Sequence, residues 1–583
     1  MEKMETVLTR IKGSIKSKFR FATLNFIFII VYVNVFQRAL GAENSIVGVI
    51  FTIMMSASMA RDLTARPVKH LLIQASVLVL MAASACFVSN VHPLLALPVN
   101  LLMIFIILYA YTYEYVSHLY FPYILSYLFL VFISPVSPAQ LSKRLLGMCV
   151  GAISIILYQL FMGRKRVVET ARDVLSSMID AADTCIECLL TGRGVPQEPG
   201  ALRANLCKLS RIVYERRKRA LCISDASFAM IDAGRGLENL VLLLYEMEGP
   251  ATPARAELLR RISAQLTLFR EFVQRKTDHV QLPDWAAPGL AGQEDARFDQ
   301  CLLYIGSHLQ QMALPQKRGR YRKTALSLSL RLKAMLDVSP VRVVYALRVS
   351  ILLALCTFMV KLLHLPHGKW LLFTVSSVSL PYADDIGTKA RKRLVATLTG
   401  GLAGIVLYAL IPSATGRTAV MMLSGYLSFY FSDYSATFAC STVGALGGAV
   451  FAGAFGWEDV GGMLGVRLGY ICIGIVLALL ANCLILPFRR KKATRQLWEK
   501  YASTTALLTR ICQEDQVDPQ LYYSLIVQSH LQEDKLHQNA LDGNWDGMED
   551  LLERCRQAVR AAHRKRAIND RSILCVAPES SGA

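Results

Sequence analysis

Hydrophobic and charged positions divide the chain into two kinds of territory. Residues of about 21–163 and 343–488 are almost continuously apolar, whereas about 164–342 and 489–583 mix apolar and charged residues at three- and four-residue spacing. Apolar runs near twenty residues predict helices that cross roughly 30 Å of hydrocarbon. The mixed pattern predicts amphipathic helices packed in water, as in "VVETARDVLSSMIDAADTCIECLLTG" and "AELLRRISAQLTLFREFVQRK". Six segments fit the first block, at about 21–37, 45–60, 71–89, 94–112, 120–135 and 145–163. Six fit the second, at about 343–363, 370–382, 394–411, 418–432, 436–455 and 463–487. The expected fold is an all-α polytopic membrane protein with about 12 transmembrane helices.

Charge placement turns these segments into an expected topology. Lys12, Lys16, Lys18 and Arg20 precede the first span, Arg61, Arg66 and Lys69 follow the second, and Arg164, Lys165 and Arg166 follow the sixth. In the second block Lys389, Arg391, Lys392 and Arg393, then Arg489, Arg490, Lys491 and Lys492, take the same places. Positive flanks mark the cytoplasmic side, so both termini are expected inside an inner, or cell, membrane. Lys143, Arg144, Lys361, Lys369 and Arg417 fall on the outer side and are exceptions. The expected domains are a basic cytoplasmic N-terminus (1–20), a first six-span repeat (21–163) and a cytoplasmic helical domain (164–342). A second six-span repeat (343–488) and a cytoplasmic helical tail (489–583) follow, with disorder expected after about 573.

The two blocks are related by a constant offset of 323 positions. Asp62, Arg66, Lys69 and His70 fall on Asp385, Lys389, Lys392 and Arg393, while Arg144, Cys149, Gly151 and Arg166 fall on Arg467, Cys472, Gly474 and Arg489. Common oily composition explains apolar matches but not charged ones. Six spans per copy place both copies the same way up, a parallel internal repeat about an axis along the membrane normal.

Composition narrows the function classes. Hydrophobic residues make up 54% of the chain and mean hydropathy is +0.38, above the range of soluble proteins. The net charge of +21 sits in clusters beside spans and on helix faces, which fits anionic lipid head groups rather than nucleic acid, since no reader motif accompanies it. The fourteen cysteines are scattered, and the lone "CIEC" at Cys185 and Cys188 lies on an amphipathic pattern with no second pair, so no metal is expected. The basic N-terminus reads as a retained signal anchor. No metalloprotease, phosphate-loop or nucleophile-elbow pattern occurs, so neither an enzyme, a cofactor nor ATP-driven transport is expected.

The most informative segment is "KWLLFTVSSVSLPYADDIGTKARKR". Its apolar part is short, carries Thr374, Ser376, Ser377 and Ser379, and ends at Pro381 before Asp384 and Asp385. Helical spacing gathers these hydroxyls into a polar stripe. The matching second span of the first block is also short and carries Thr52, Ser56 and Ser58 before Asp62. Short, interrupted segments at corresponding places in two halves point to a transporter's central site. The alternative is that Ser and Thr bond back to their own helix and let helices pack closely. Asp384, Asp385, Asp62, Glu114 and Asp433 are candidates for a proton-coupling carboxyl, each open to the plainer reading of a solvated loop acid. Tyr109, Tyr113, Tyr115, Tyr426 and Phe429 fit either an aromatic substrate or an interfacial belt.

"RVVYALRVSILLA" followed by "KWLLFTVSSVSLPYADDIGTKARKRLVATLTGGLAGIV" resembles the fusaric-acid-resistance-like (FUSC) family, which includes aromatic acid exporters and YccS-like inner-membrane proteins. Plant aluminium-activated malate channels are distant relatives. Arg348, Trp370, Thr374, Pro381, Thr388, Arg393, Thr397 and Gly400 match the family pattern, and Ala396 stands where a glycine is usual. The resemblance implies proton-gradient-driven efflux of small organic anions such as aromatic carboxylates, with Arg348, Trp370, Thr374, Pro381, Thr388, Arg393 and Thr397 on the expected substrate pathway. It also implies a homodimer and, in some relatives, a periplasmic adaptor. The competing expectations are a passive organic-anion channel and a non-transporting scaffold that works through its cytoplasmic helices.

Overall fold

A computed structural model describes residues 2–59, 63–64, 66–115, 118–162, 164–193, 199–217, 223–247, 252–281, 293–313, 339–431, 433–451, 460–514, 518–543, 545 and 547–575. Every regular element among them is helical. The chain divides into two compact units, one of residues 1–60, 68–158 and 338–490, the other of 61–67, 159–337 and 491–583.

The first unit holds α1 (Glu2–Leu40), α2 (Ser45–Ser58), α3 (Pro67–Asn90), α4 (Pro93–Tyr111), α5 (Tyr120–Phe132) and α6 (Leu141–Met162). It continues with α12 (Pro340–Leu362), α13 (Lys369–Val378), α14 (Ile386–Leu410), α15 (Ala414–Leu427), α16 (Tyr434–Phe451) and α17 (Val460–Leu484). A helix therefore occupies each of the expected segments. Among the described residues, seven stretches are long and apolar enough to cross a membrane: Ala22–Leu40, Pro67–Asn90, Pro93–Tyr111, Pro138–Met162, Pro340–Leu362, Ala383–Leu410 and Val460–Leu484. The helix α13 is the shortest, ten residues, or about 15 Å of rise against a hydrocarbon core of roughly 30 Å.

Polarity in this unit is inverted relative to a water-soluble bundle. The outer face of α17 carries Ile473, Val476, Leu480 and Leu484, all exposed, while its inner face buries Arg467, Gly474, Ala478 and Asn482. Leu24, Ile27, Val31 and Val35 make a similar exposed stripe on α1, and Leu402, Val406 and Leu410 one on α14. Continuous branched apolar stripes turned outward are what lipid selects and water penalises. The chain is a multi-pass membrane protein.

Inside the unit α12 lies along α4, α13 packs on α17, and α14 packs on α16, while α5 touches both α2 and α13. Small residues set the closest of these contacts. Ala396, Gly400 and Gly404 follow at four-residue spacing on α14 and are buried. A Cβ added at Gly400 would lie 2.3 Å from the Ala439 carbonyl oxygen, so only glycine admits the α16 backbone there.

The second unit joins chain segments far apart in sequence. It contains α7 (Arg164–Thr191), α8 (Pro199–Arg216), α9 (Asp225–Tyr245), α10 (Pro253–Val273) and α11 (Gln293–Ala313). It also contains α18 (Arg490–Ile511) beyond its first residue, α19 (Pro519–Gly543) and α20 (Met548–Cys575), so the expected central domain and tail form one body. Helix α20 runs through residue 573 to Cys575, and the expected disorder beyond lies outside the described residues.

A buried ion cluster ties these segments together. Glu533 on α19, 1% exposed, accepts from Arg203 on α8 at 2.8 and 2.5 Å and from Arg556 on α20 at 2.7 Å. Arg203 also reaches Glu238 on α9 at 3.1 Å, and Ser210 meets His530 at 2.7 Å. Burial opposes ionisation of Glu533, but Arg203, its hydrogen bonds and Arg556 outweigh that and hold the carboxyl down to about 2.

Two outcomes follow from this packing. Gly400→Ala is expected to destabilise the membrane unit by about 1–3 kcal/mol, read as a lower melting temperature in detergent, because backbone must move. Glu533→Gln is expected to cost roughly 3–5 kcal/mol, since two buried guanidiniums lose their charge partner. Because the folded-state pKa is depressed, the wild-type contribution is complete above about pH 4.3, the unfolded value, and is lost as pH falls toward 2. Acid titration of the full chain's helical signal checks this: the Gln variant should lose that part of the pH dependence.

Candidate functional site

The site is built around the end of α13. Backbone that leaves a helix inside an apolar unit needs partners for its carbonyls. Here α12 supplies three of them. The Tyr345 hydroxyl donates to the Ser379 carbonyl at 3.2 Å, and Arg348 Nη2 donates to the carbonyls of Leu380 and Pro381 at 2.8 and 3.1 Å. Asn482 on α17 donates to the Ala383 carbonyl at 3.2 Å. The unwound segment 379–383 is therefore held from two sides, with Ser379 and Pro381 buried. Arg348 is 2% exposed, and its Nη1 finds no hydrogen-bond partner among the described residues.

The hydroxyls of the expected polar stripe are buried and bonded to their own helix. Thr374 donates to the Trp370 carbonyl at 2.8 Å, Ser376 to Phe373 at 3.0 Å and Ser377 to Thr374 at 3.0 Å. Thr397 donates to Arg393 at 2.9 Å, Thr52 to Val49 at 2.7 Å and Ser58 to Met55 at 2.7 Å. Such back-bonding satisfies each donor and leaves the oxygen lone pairs available. Ser56 and Thr388 are exposed on their helices.

Two further arginines gather beside α13. Arg393 on α14 is buried, lies 4.4 Å from the centre of the Phe438 ring and neighbours the Tyr434 hydroxyl. Arg467 on α17 is buried, lies 5.5 Å from the centre of the Trp370 ring and is close enough to Arg393 for the two to repel. The Nε atoms of both lack a hydrogen-bond partner among the described residues, and no described carboxylate pairs with either. Thr374 packs on Gly474, where an added Cβ would come within 3.1 Å of it. Trp370, Thr374, Ser377, Arg393, Arg467, Tyr434 and Phe438 thus form one aromatic and cationic cluster.

Arg467 entered the sequence reading only as the offset partner of Arg144. The signal that marks it is an arginine seven residues into an otherwise apolar helix, on the face that also carries Met463, Ile471 and Gly474. The two equivalents have different environments. Arg144 donates to the Glu43 carbonyl at 3.1 Å and to the Ser134 hydroxyl at 2.9 Å, whereas Arg467 has ring contact and a second cation. Across the offset, Gly151 faces the Phe51 ring where Gly474 faces Thr374.

None of the described acidic candidates pairs with Arg393 or Arg467. Asp385 accepts from the single Arg490 Nη2 through both carboxylate oxygens at 2.6 and 2.8 Å, and Asp384 accepts the Arg490 backbone amide at 2.7 Å. Asp433 caps α16 through the amides of Ser435 and Ala436 at 2.8 and 3.3 Å, which hold its carboxyl below the usual range. Glu114 is half-buried just beyond α4, and Asp62 lies outside the described residues. Of the aromatics, Tyr109 faces Arg342 at 4.5 Å, and Tyr426 contacts Phe26 and bonds Thr23.

Residues 354–481 match the family model described as fusaric acid resistance protein-like. The match includes the C-terminal part of α12, α13–α16 and most of α17, and Trp370, Thr374, Arg393, Arg467, Tyr434 and Phe438; Arg348 precedes it by six positions. The chain therefore carries a fusaric acid resistance protein-like domain. No curated protein and no solved structure matches the chain.

Arg348→Ala is expected to lower the melting temperature in detergent, because two buried carbonyls are left dry at about 1–3 kcal/mol each. Arg348→Lys should recover part of the loss. Equal melting of the Ala variant and wild type would show that the carbonyls have another partner.

Proposed function

We propose that the membrane unit carries small organic anions, aromatic carboxylates foremost, out of the cytoplasm. The observation that carries this reading is the cluster of Arg393 and Arg467, both buried, with no carboxylate partner among the described residues. Burying an arginine at membrane depth costs roughly 2.5–3.5 kcal/mol on insertion scales, and a cation–π contact returns about 0.5–2 kcal/mol. Two mutually repelling guanidiniums leave a deficit that a bound anion would remove. Trp370 and Phe438 offer ring faces to an aromatic body, and the back-bonded hydroxyls offer polarity without charge. The fusaric acid resistance protein-like match over the same helices supports a transporter.

The parallel six-span repeat belongs to this reading. Helices at the twelve expected places and the paired glycine contacts at offset 323, Gly151 on Phe51 and Gly474 on Thr374, support it. In such a repeat both copies bury the arginine: Arg467 meets the Trp370 ring of α13, while Arg144 gives Nη2 to the Glu43 carbonyl and the Ser134 hydroxyl. Both termini and the helical unit then lie in the cytoplasm, and the membrane is the inner one.

A second reading concerns energy coupling. Asp384 and Asp385 bond Arg490 and Asp433 caps a helix, so each already has a structural partner where it stands. That favours a passive anion conduit over proton-driven efflux, unless Glu114 or Asp62 serves as the coupling acid.

The test is flux of benzoate from proteoliposomes. Arg467→Gln removes a charge but no hydrogen bond to described protein groups, so melting is expected to stay the same or rise. Benzoate flux is expected to fall about 10- to 150-fold, the equivalent of one charged hydrogen bond. Normal flux in both Arg393→Gln and Arg467→Gln would refute the pathway. Flux that ignores an imposed pH gradient would establish the conduit, and acceleration by the gradient the coupled exporter.

A further inference from the structure

The helical unit contains a half-open cavity of about 610 Å³, within the ~300–1,000 Å³ range of small-molecule sites. Its floor is apolar: Leu175 from α7, Val213 from α8, Met230 from α9 and Phe272 from α10 are all buried. Its mouth is cationic. Arg172, Arg216 and Arg275 line it against a single acid, Asp278. Arg172 is half-buried, and its guanidinium is pushed below its ordinary pKa by burial and then by the neighbouring Arg275.

The placement of Arg275 adds a second observation. It sits just past the end of α10 with φ of 59°, in the left-handed region. Its amide bonds the Phe272 carbonyl at 3.0 Å and the Lys276 amide bonds Glu271 at 2.9 Å, a Schellman closure. Glycine is the favoured residue at that position, because a side chain there is strained. The chain instead places a guanidinium at the mouth of the cavity, against another guanidinium, in a conformation that fixes where its side chain departs.

We infer that this cavity binds an amphipathic organic anion, one or two carboxylate or sulfonate groups on an aromatic or short aliphatic body. The body replaces water on the Leu175, Val213, Met230 and Phe272 floor. The head group accepts from the arginines at the mouth, where planar guanidiniums match a carboxylate in bidentate geometry. Asp278 tunes preference, since a second negative group on the ligand must avoid it. The site belongs to the helical unit alone and is independent of the arginine cluster of the membrane unit.

The experiment is calorimetric titration of the full-length protein in detergent with 1-naphthoate and with uncharged 1-naphthalenemethanol. Naphthoate is expected to bind saturably, and the alcohol at least tenfold more weakly. The double variant Arg172→Ala/Arg275→Ala, which changes side chains at an open mouth, is expected to weaken naphthoate at least tenfold without changing the melting temperature. Val213→Trp, which fills the floor, is expected to abolish that component, and Arg467→Gln is expected to retain it. Undiminished binding in the double variant and in Val213→Trp would overturn the inference. So would loss of the whole heat in Arg467→Gln alone, or no saturable heat in wild type up to about 1 mM.

Discussion

Polar groups inside an apolar unit must find their partners within the protein, and this requirement shapes most of what the membrane unit does. The end of α13 satisfies it with Tyr345, Arg348 and Asn482, which take up the carbonyls of residues 379–383. Thr374, Ser376, Ser377 and Thr397 satisfy it by turning back on their own turns. Arg144 satisfies it in part, giving Nη2 to a carbonyl and a serine, while its Nε and Nη1 find no partner among the described residues. Against that background Arg393 and Arg467 stand out, because rings and each other are their main company. The unmet demand is electrostatic, and it has one sign.

Much of the architecture was legible from periodicity. Helices lie at each of the segments marked by apolar runs, and the short second span of the second block is the ten-residue α13. These features are local, so a window of twenty residues contains them. What eluded the sequence depends on chain-distant pairing. Glu533 joins α19 to α8 across 330 positions, and nothing in "SHLQEDKL" announces that its glutamate is buried between two arginines. Asp384 and Asp385 look alike beside a proline, yet their role is set by Arg490, more than a hundred positions away.

The stripe of serines and threonines illustrates the same limit from the other side. Its helical spacing was readable, but spacing does not say whether a hydroxyl bonds a substrate or the preceding turn. In α13 each donor goes to the turn, so the hydroxyls contribute acceptor oxygens and small volume. In the proposed pathway the charged recognition then falls to residues outside α13. Arg393 was visible in the basic run after the aspartates, and Arg467 only through its offset from Arg144. A lone arginine on the small-residue face of an apolar helix is the signal that marks it, since an arginine turned toward lipid at membrane depth is costly.

The two cationic places differ in a way that matters for what each does with an anion. In the membrane unit Arg393 and Arg467 are both buried, so an anion bound there as proposed would offset two like charges in low dielectric. On that proposal the repulsion returns when the anion leaves, and the occupied state is not a deep trap. Conduction needs that balance: favourable entry without slow release. The arginines at the mouth of the cavity in the helical unit are reached by water and salt, so their mutual repulsion is screened and the empty state costs little. Occupancy there follows ligand concentration without strain driving exchange. A site that turns over and a site that reports can thus be built from the same guanidinium chemistry, and the dielectric around each decides which it is.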